Sequence, residues 1–301
     1  MLIKSIKITP AILFSFSLLF SYGSLKAQKL PNKQTVGIKT PANIKVDGKA
    51  TEWSDQYQAY NNATEVYYTI ANTDSVITLV VHATKPQVIQ KVLENGITFS
   101  ILKNKTTENS NNVKILFPSI RFDDCWKIMN GVGLPISGFR KMPGAPTHAA
   151  FSPDSILASQ KEYSLEGANK QLTSILKDIR FIGIETIKDT VAGITPKSPY
   201  YRNFALRYEG YKYISIYNED NIQAAIQFDD KKELTYELSF PTRYIKNNIA
   251  NAAFNYDITV NARDGSRPGV VVFYEPPPNR GMAFPELFNA TNLEGEYTLA
   301  K

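Results

Sequence analysis

Residues 222–240 read IQAAIQFDDKKELTYELSF. Ile222, Ala224, Ile226 and Phe228 recur at every second position, and so do Leu234, Tyr236, Leu238 and Phe240, with Glu233, Thr235, Glu237 and Ser239 between them. A period of two puts each set on one face of a strand. Asp229-Asp230-Lys231-Lys232 separates the two runs with turn-forming, solvated residues. The stretch therefore predicts an antiparallel hairpin with one apolar face and one face in water.

The same grammar extends in both directions. Downstream, Pro241 opens a helical turn through Tyr244 and Ile245. Phe254, Tyr256, Ile258 and Val260 then alternate up to Asp264-Gly265, and residues 270–274 read as a returning strand. Upstream, Val66, Tyr68 and Ile70 alternate with Glu65, Tyr67 and Thr69, while 76–81 is apolar and β-branched nearly throughout, as in a strand covered on both faces. Pro86 sets a first helical turn, Val88, Ile89, Val92 and Leu93 form one stripe, and Asn95-Gly96 ends it. Ile97, Phe99 and Ile101 follow as a strand, 103–112 as a solvated loop, and 113–117 as a strand stopped by Pro118. Glycines and prolines punctuate 123–164 so densely that no period is read there. Leu172, Ile175, Leu176 and Ile179 fit a short helix, and 181–187 a strand. Many short alternating strands with few helices predict a mainly β protein: an antiparallel β-sandwich with a few short helices and a long irregular insertion at 121–200.

Composition sets the limits on function. The chain has 301 residues, 43% hydrophobic and 21% charged, which is ordinary globular usage and excludes a disordered chain. Lys4 and Lys7 precede an apolar run at 11–20 that leads to Leu25-Lys26-Ala27, the pattern of a secretory signal at 1–27. That run is shorter than the roughly 18 to 20 apolar residues a membrane span needs. Expected organisation is then a tail or first edge strand at 28–42 and one sandwich domain at 43–301, periplasmic or secreted. Removing Lys4, Lys7 and Lys26 with the signal takes the formal charge from +6 to +3, too little to argue for nucleic acid. A single cysteine, Cys125, forbids an internal disulfide, and two histidines, His82 and His148, leave little for zinc or triad chemistry.

Several local motifs fall in a recognisable order. Ile44, Val46 and Asp47-Gly48 precede Glu52-Trp53, the 67–72 strand follows, and the Pro86 helix runs into Asn95-Gly96-Ile97-Thr98-Phe99; Leu234 to Pro241 comes late in the chain. This order resembles the family-9 carbohydrate-binding-module-like domains of the DOMON-like sandwich group, over 43–120 and 220–300. The resemblance implies the sandwich fold and, as in some members, non-catalytic binding of a carbohydrate or envelope component. Other members hold haem through His or Met, for which His82, His148, Met142 and Met282 are the candidates here. A structural, partner-binding envelope protein and a hydrolase that works through carboxylates no motif marks are the remaining alternatives.

Sugar sites need a flat aromatic face for C–H groups and polar groups for hydroxyls. Trp126, beside Arg121, Asp123, Asp124 and Lys127, meets that description, although an indole in a long loop also serves to pin it. Tyr200, Tyr201 and Arg202 are the second candidate group, adjacent to the insertion. Trp53 is expected to cap the core with its N–H bonded at the surface. His82 reads as a strand-end histidine rather than a ligand, since no second histidine is near it. Asp123-Asp124 and Asp229-Asp230 are neighbours in sequence, which does not supply the spatial separation glycoside hydrolysis requires. No nucleophile elbow, zinc helix, calcium loop or phosphate loop is present, and no cofactor or metal is called for.

Overall fold

A computed structural model describes residues 29–54, 56–103, 111–120, 122–136, 164–187, 191–192, 210–262, 287 and 289–301. From Pro31 onward the chain forms one unit built of two facing sheets, as the alternating strands predict. Sheet I contains β1 (Ile38–Lys39), β2 (Ala59–Asn61), β3 (Val66–Asn72), β4 (Val76–Ala83), β10 (Gln223–Phe228) and β11 (Leu234–Pro241), in the order β1-β3-β4-β11-β10 with β2 also on β3. Sheet II contains β5 (Ile97–Leu102), β6 (Val113–Phe117), β7 (Asp178–Ile182), β8 (Val191–Ala192), β9 (Lys212–Ser215), β12 (Ala253–Val260) and β13 (Thr291–Thr298), in the order β13-β12-β5-β6-β7-β9-β8. Pairing is antiparallel except for the short β1 against β3. The fold is an antiparallel β-sandwich.

The core lies between the sheets. Tyr68, Ile70, Leu79, Val81, Leu238 and Phe240 from sheet I meet Phe99, Ile101, Ile115, Phe181, Tyr256 and Ile258 from sheet II, and all are buried. The apolar set read at every second residue is the set that faces inward. Tyr68 and Tyr256 join the layers through a 3.0 Å contact between their hydroxyls. Burial drives the Tyr256 phenol far above its usual range, so the pair stays neutral. Phe99 and Phe240 meet edge to face at 6.1 Å, a favoured aromatic geometry.

The hairpin of β10 and β11 forms as its pattern requires, with Ile226 opposite Tyr236 and Phe228 opposite Leu234. Its polar face, however, is not wet: Thr235, Glu237 and Ser239 are all buried. The segment from Asp47 to Gln58 crosses that face and covers it. Asp47 and Gly48 donate their backbone N–H groups to Glu237 Oε2 at 3.0 and 2.9 Å, and Gln58 N–H donates to Thr69 Oγ1 at 3.0 Å. Gly48 makes the approach possible. Its φ is +83°, and a Cβ there would stand 2.6 Å from the Ile226 carbonyl carbon.

Among the described residues three α-helices accompany the sandwich: α1 (Pro86–Asn95), α2 (Phe122–Gly131) and α3 (Leu165–Ile175). α1 begins at Pro86 and stops where Gly96 adopts φ +75°. α2 lies inside the stretch read as irregular, turning Cys125, Ile128 and Met129 into the core. α3 starts earlier than the apolar stripe suggested, because Ser164 caps it by accepting from Gly167 N–H at 3.1 Å. It ends earlier as well: Leu176 is extended, and Ile179 belongs to β7, itself earlier than the strand expected at 181–187. The returning strand expected at 270–274 lies outside the described residues. β12 instead pairs with β13 and β5.

Candidate functional site

One row of side chains runs across the outer face of sheet I. Register places Tyr67 of β3 beside His82 of β4, His82 beside Thr235 of β11, and Thr235 beside Gln227 of β10. Since alternate residues of these strands fill the core, this row points the other way. Beyond the end of the covering segment it forms the floor of a cleft of about 1340 Å3. Three elements wall the cleft: the loop bearing Gly48, Thr51 and Tyr57, the turn from Asp229 to Glu233, and helix α3. Asn169 locks α3 to the sheet, accepting from Phe228 N–H at 2.8 Å and donating to Phe228 O at 2.9 Å.

The floor is aromatic. Tyr57 stacks on the His82 imidazole with ring centres 5.2 Å apart and planes 13° from parallel. Tyr67, only partly buried, sits 5.8 Å from Tyr57 and 4.7 Å from Tyr60. Exposed Lys49, Lys170 and Lys231, together with Glu166 and Glu233, surround these rings.

His82 is held on three sides. Its Nδ1 lies 3.1 Å from Thr235 Oγ1 and its Nε2 3.0 Å from Glu233 Oε2, and Tyr57 covers one ring face. Asp229 stands close by, its Oδ1 accepting from the backbone N–H groups of Lys231 and Glu233, both at 2.9 Å. One ligand atom from each of His82, Asp229 and Glu233 lies within 4.8 Å of the others. The turn that the sequence placed at Asp229-Asp230 thus carries a carboxylate to the histidine.

Of the residues singled out in the sequence, Trp126 lies on α2, partly buried, and is not among those lining the cleft. Arg121, Tyr200, Tyr201 and Arg202 lie outside the described residues, as do His148, Met142 and Met282. Trp53 is buried, as a cap should be, but belongs to the segment covering sheet I, and its Nε1 has no hydrogen-bond partner among the described residues. Sequence reading set His82 aside for want of a nearby second histidine, whereas its partners here, Glu233 and Thr235, are about 150 positions away. The signal within reach was its place on the polar face of an otherwise apolar strand.

No family model, curated protein or solved structure matches the chain. Among the described residues no helix is long and apolar enough to cross a membrane.

Proposed function

We propose that this protein is an exported, non-catalytic binding module of the family-9 carbohydrate-binding-module-like kind, and that it takes a glycan segment in the cleft on sheet I. The supporting observation is the partly exposed Tyr67 ring in the floor of an open cleft, flanked by Tyr57 and Tyr60 and ringed by hydrogen-bonding side chains. An exposed phenol face accepts the C–H side of a pyranose, and surrounding Lys, Asn and carboxylate groups bond its hydroxyls. The volume exceeds that of a typical small-ligand pocket, which reaches about 1,000 Å3, so several sugar units fit. Binding in this mode breaks no bond and requires only that the floor be rigid, which the three-sided fixation of His82 and the stacking of Tyr57 provide. The lysine-flanked apolar segment at 11–20 supports export to the envelope.

Calorimetry against a panel of soluble oligosaccharides tests the reading. Saturable binding that falls at least tenfold in Tyr67→Ala and is unchanged in Trp126→Ala supports it. Binding lost in Trp126→Ala and kept in Tyr67→Ala moves the site to the α2 side of the molecule; a panel with no response removes the glycan altogether.

A further inference from the structure

We propose that His82, Asp229 and Glu233 form a binding site for a divalent metal ion of the zinc type at the wall of the cleft. The donor atoms are one imidazole nitrogen and two carboxylate oxygens, within 4.8 Å of one another. Around tetrahedral zinc, with bonds of about 2.0–2.1 Å, donor atoms stand about 3.3 Å apart. His82 Nε2 and Glu233 Oε2 are already at 3.0 Å. Closing the set from the 4.8 Å limit to that spacing needs a movement of no more than about 1.5 Å, at Asp229 on a partly exposed turn.

The groups behind the donors are arranged for the same task. A metal-bound imidazole uses one ring nitrogen as ligand and donates from the other to a fixed acceptor. Thr235 Oγ1, 3.1 Å from Nδ1, is placed to be that acceptor; with the proton on Nδ1, the Nε2 lone pair is free for the metal on the side of the two carboxylates. Tyr57 stacking prevents the ring from turning away. Asp229 is oriented by the two backbone N–H groups that its Oδ1 accepts. Neutral imidazole with two carboxylates carries a charge of −2, which matches a divalent cation. Mixed nitrogen and oxygen donors suit zinc or another first-row ion, whereas calcium takes six to eight oxygens. The side toward the cleft stays open for water or a ligand oxygen, as in zinc sites with three protein ligands.

The site does not depend on what the cleft binds, so its test uses metal alone. The full chain, purified without a histidine tag and stripped with chelator, is titrated with zinc by calorimetry. Cobalt(II) absorption reports the coordination. We expect one zinc per chain, at least tenfold weaker binding in both Asp229→Asn and Glu233→Gln, and unchanged binding in Asp230→Asn, whose carboxylate is a neighbour outside the trio. Zinc at a hundredfold excess over Kd should raise the thermal midpoint by about 5 °C or more, and calcium should not. Both carboxylates lie at a partly exposed hairpin turn outside the core, so the variants retain the fold, and circular dichroism checks this. Absence of a saturable one-to-one phase, or equal zinc affinity in the wild type and both variants, overturns the proposal.

Discussion

Glu237 offers a measurement of how the covering segment is held. It lies on the outer face of β11 with no exposed surface, its Oε2 accepts from Asp47 and Gly48 N–H, and its Oε1 has no partner among the described residues. Burial pushes its carboxyl up to about 7; the two backbone bonds oppose that, and nearby Asp47 and Glu52 add to it. The unfolded chain releases this proton near 4.5. Between those values the native state keeps a proton that the unfolded state has lost, so stability falls as pH rises through the window. The contribution is full below about 4.5 and gone above about 7. At about 1.4 kcal/mol per pKa unit, the whole shift amounts to about 3 kcal/mol, of which about 2.5 kcal/mol falls between pH 5 and pH 8. Glu237→Gln keeps an oxygen for both N–H donors and cannot titrate. Its amide replaces an oxygen that had no partner, a cost of about 1 kcal/mol that is the same at both pH values. Urea unfolding followed by circular dichroism gives the four stabilities. The loss on going from pH 5 to pH 8 should be smaller in the variant by about 2.5 kcal/mol. Contributions shared by both proteins, including that of Asp257, whose carboxyl burial also raises, cancel in this difference. Equal pH dependence in the two proteins refutes the reasoning.

Two core tyrosines should respond in opposite directions to loss of the hydroxyl. Tyr236 Oη is buried with no partner among the described residues, so Tyr236→Phe should be neutral or stabilising by about 1 kcal/mol, whereas Tyr256→Phe breaks the bond to Tyr68 and should cost about 1 kcal/mol; chemical denaturation of both distinguishes them. Gly48→Ala forces a Cβ against the Ile226 backbone at φ +83° and should cost more than about 2 kcal/mol, with faster amide exchange at Asp47, whose N–H bonds Glu237. Asn169→Ala removes both bonds to Phe228 and should cost about 2 kcal/mol, with increased hydrogen exchange along α3 and little change at Tyr68.

The sandwich was legible because its strands obey a local rule. Once Leu234, Tyr236, Leu238 and Phe240 are assigned to one face, the core is half written, and the same holds for Val66, Tyr68 and Ile70 on β3. Helix α2 was legible too, and was missed. Cys125, Ile128, Met129 and Val132 have helical spacing and are all buried, but the glycines and prolines flanking them made the whole stretch look like loop. Covering of the polar face was not legible. Period two says that Thr235 and Glu237 point away from the core; it says nothing about whether water or another piece of chain meets them there. Only Gly48, free to take a positive φ and lie against Ile226, hinted at a close approach.

The cleft falls in the same category, for a physical reason that separates folds from sites. Core positions are specified one strand at a time, since any apolar side chain on the inner face serves. His82, Thr235 and Glu233 acquire their roles only when β4 pairs with β11 in a register that sets His82 opposite Thr235, and Asp229 joins only because the β10–β11 turn returns at that end of the sheet. A one-residue slip would have turned His82 into the core and Val81 into the cleft. The register is fixed by burying Tyr236 and Leu238 beside Val81 and Leu79, residues with no part in the site. The apolar face of β11 thus determines where the polar face places its histidine, and a change on the inner side that shifted the register would dismantle the trio without touching any of its members.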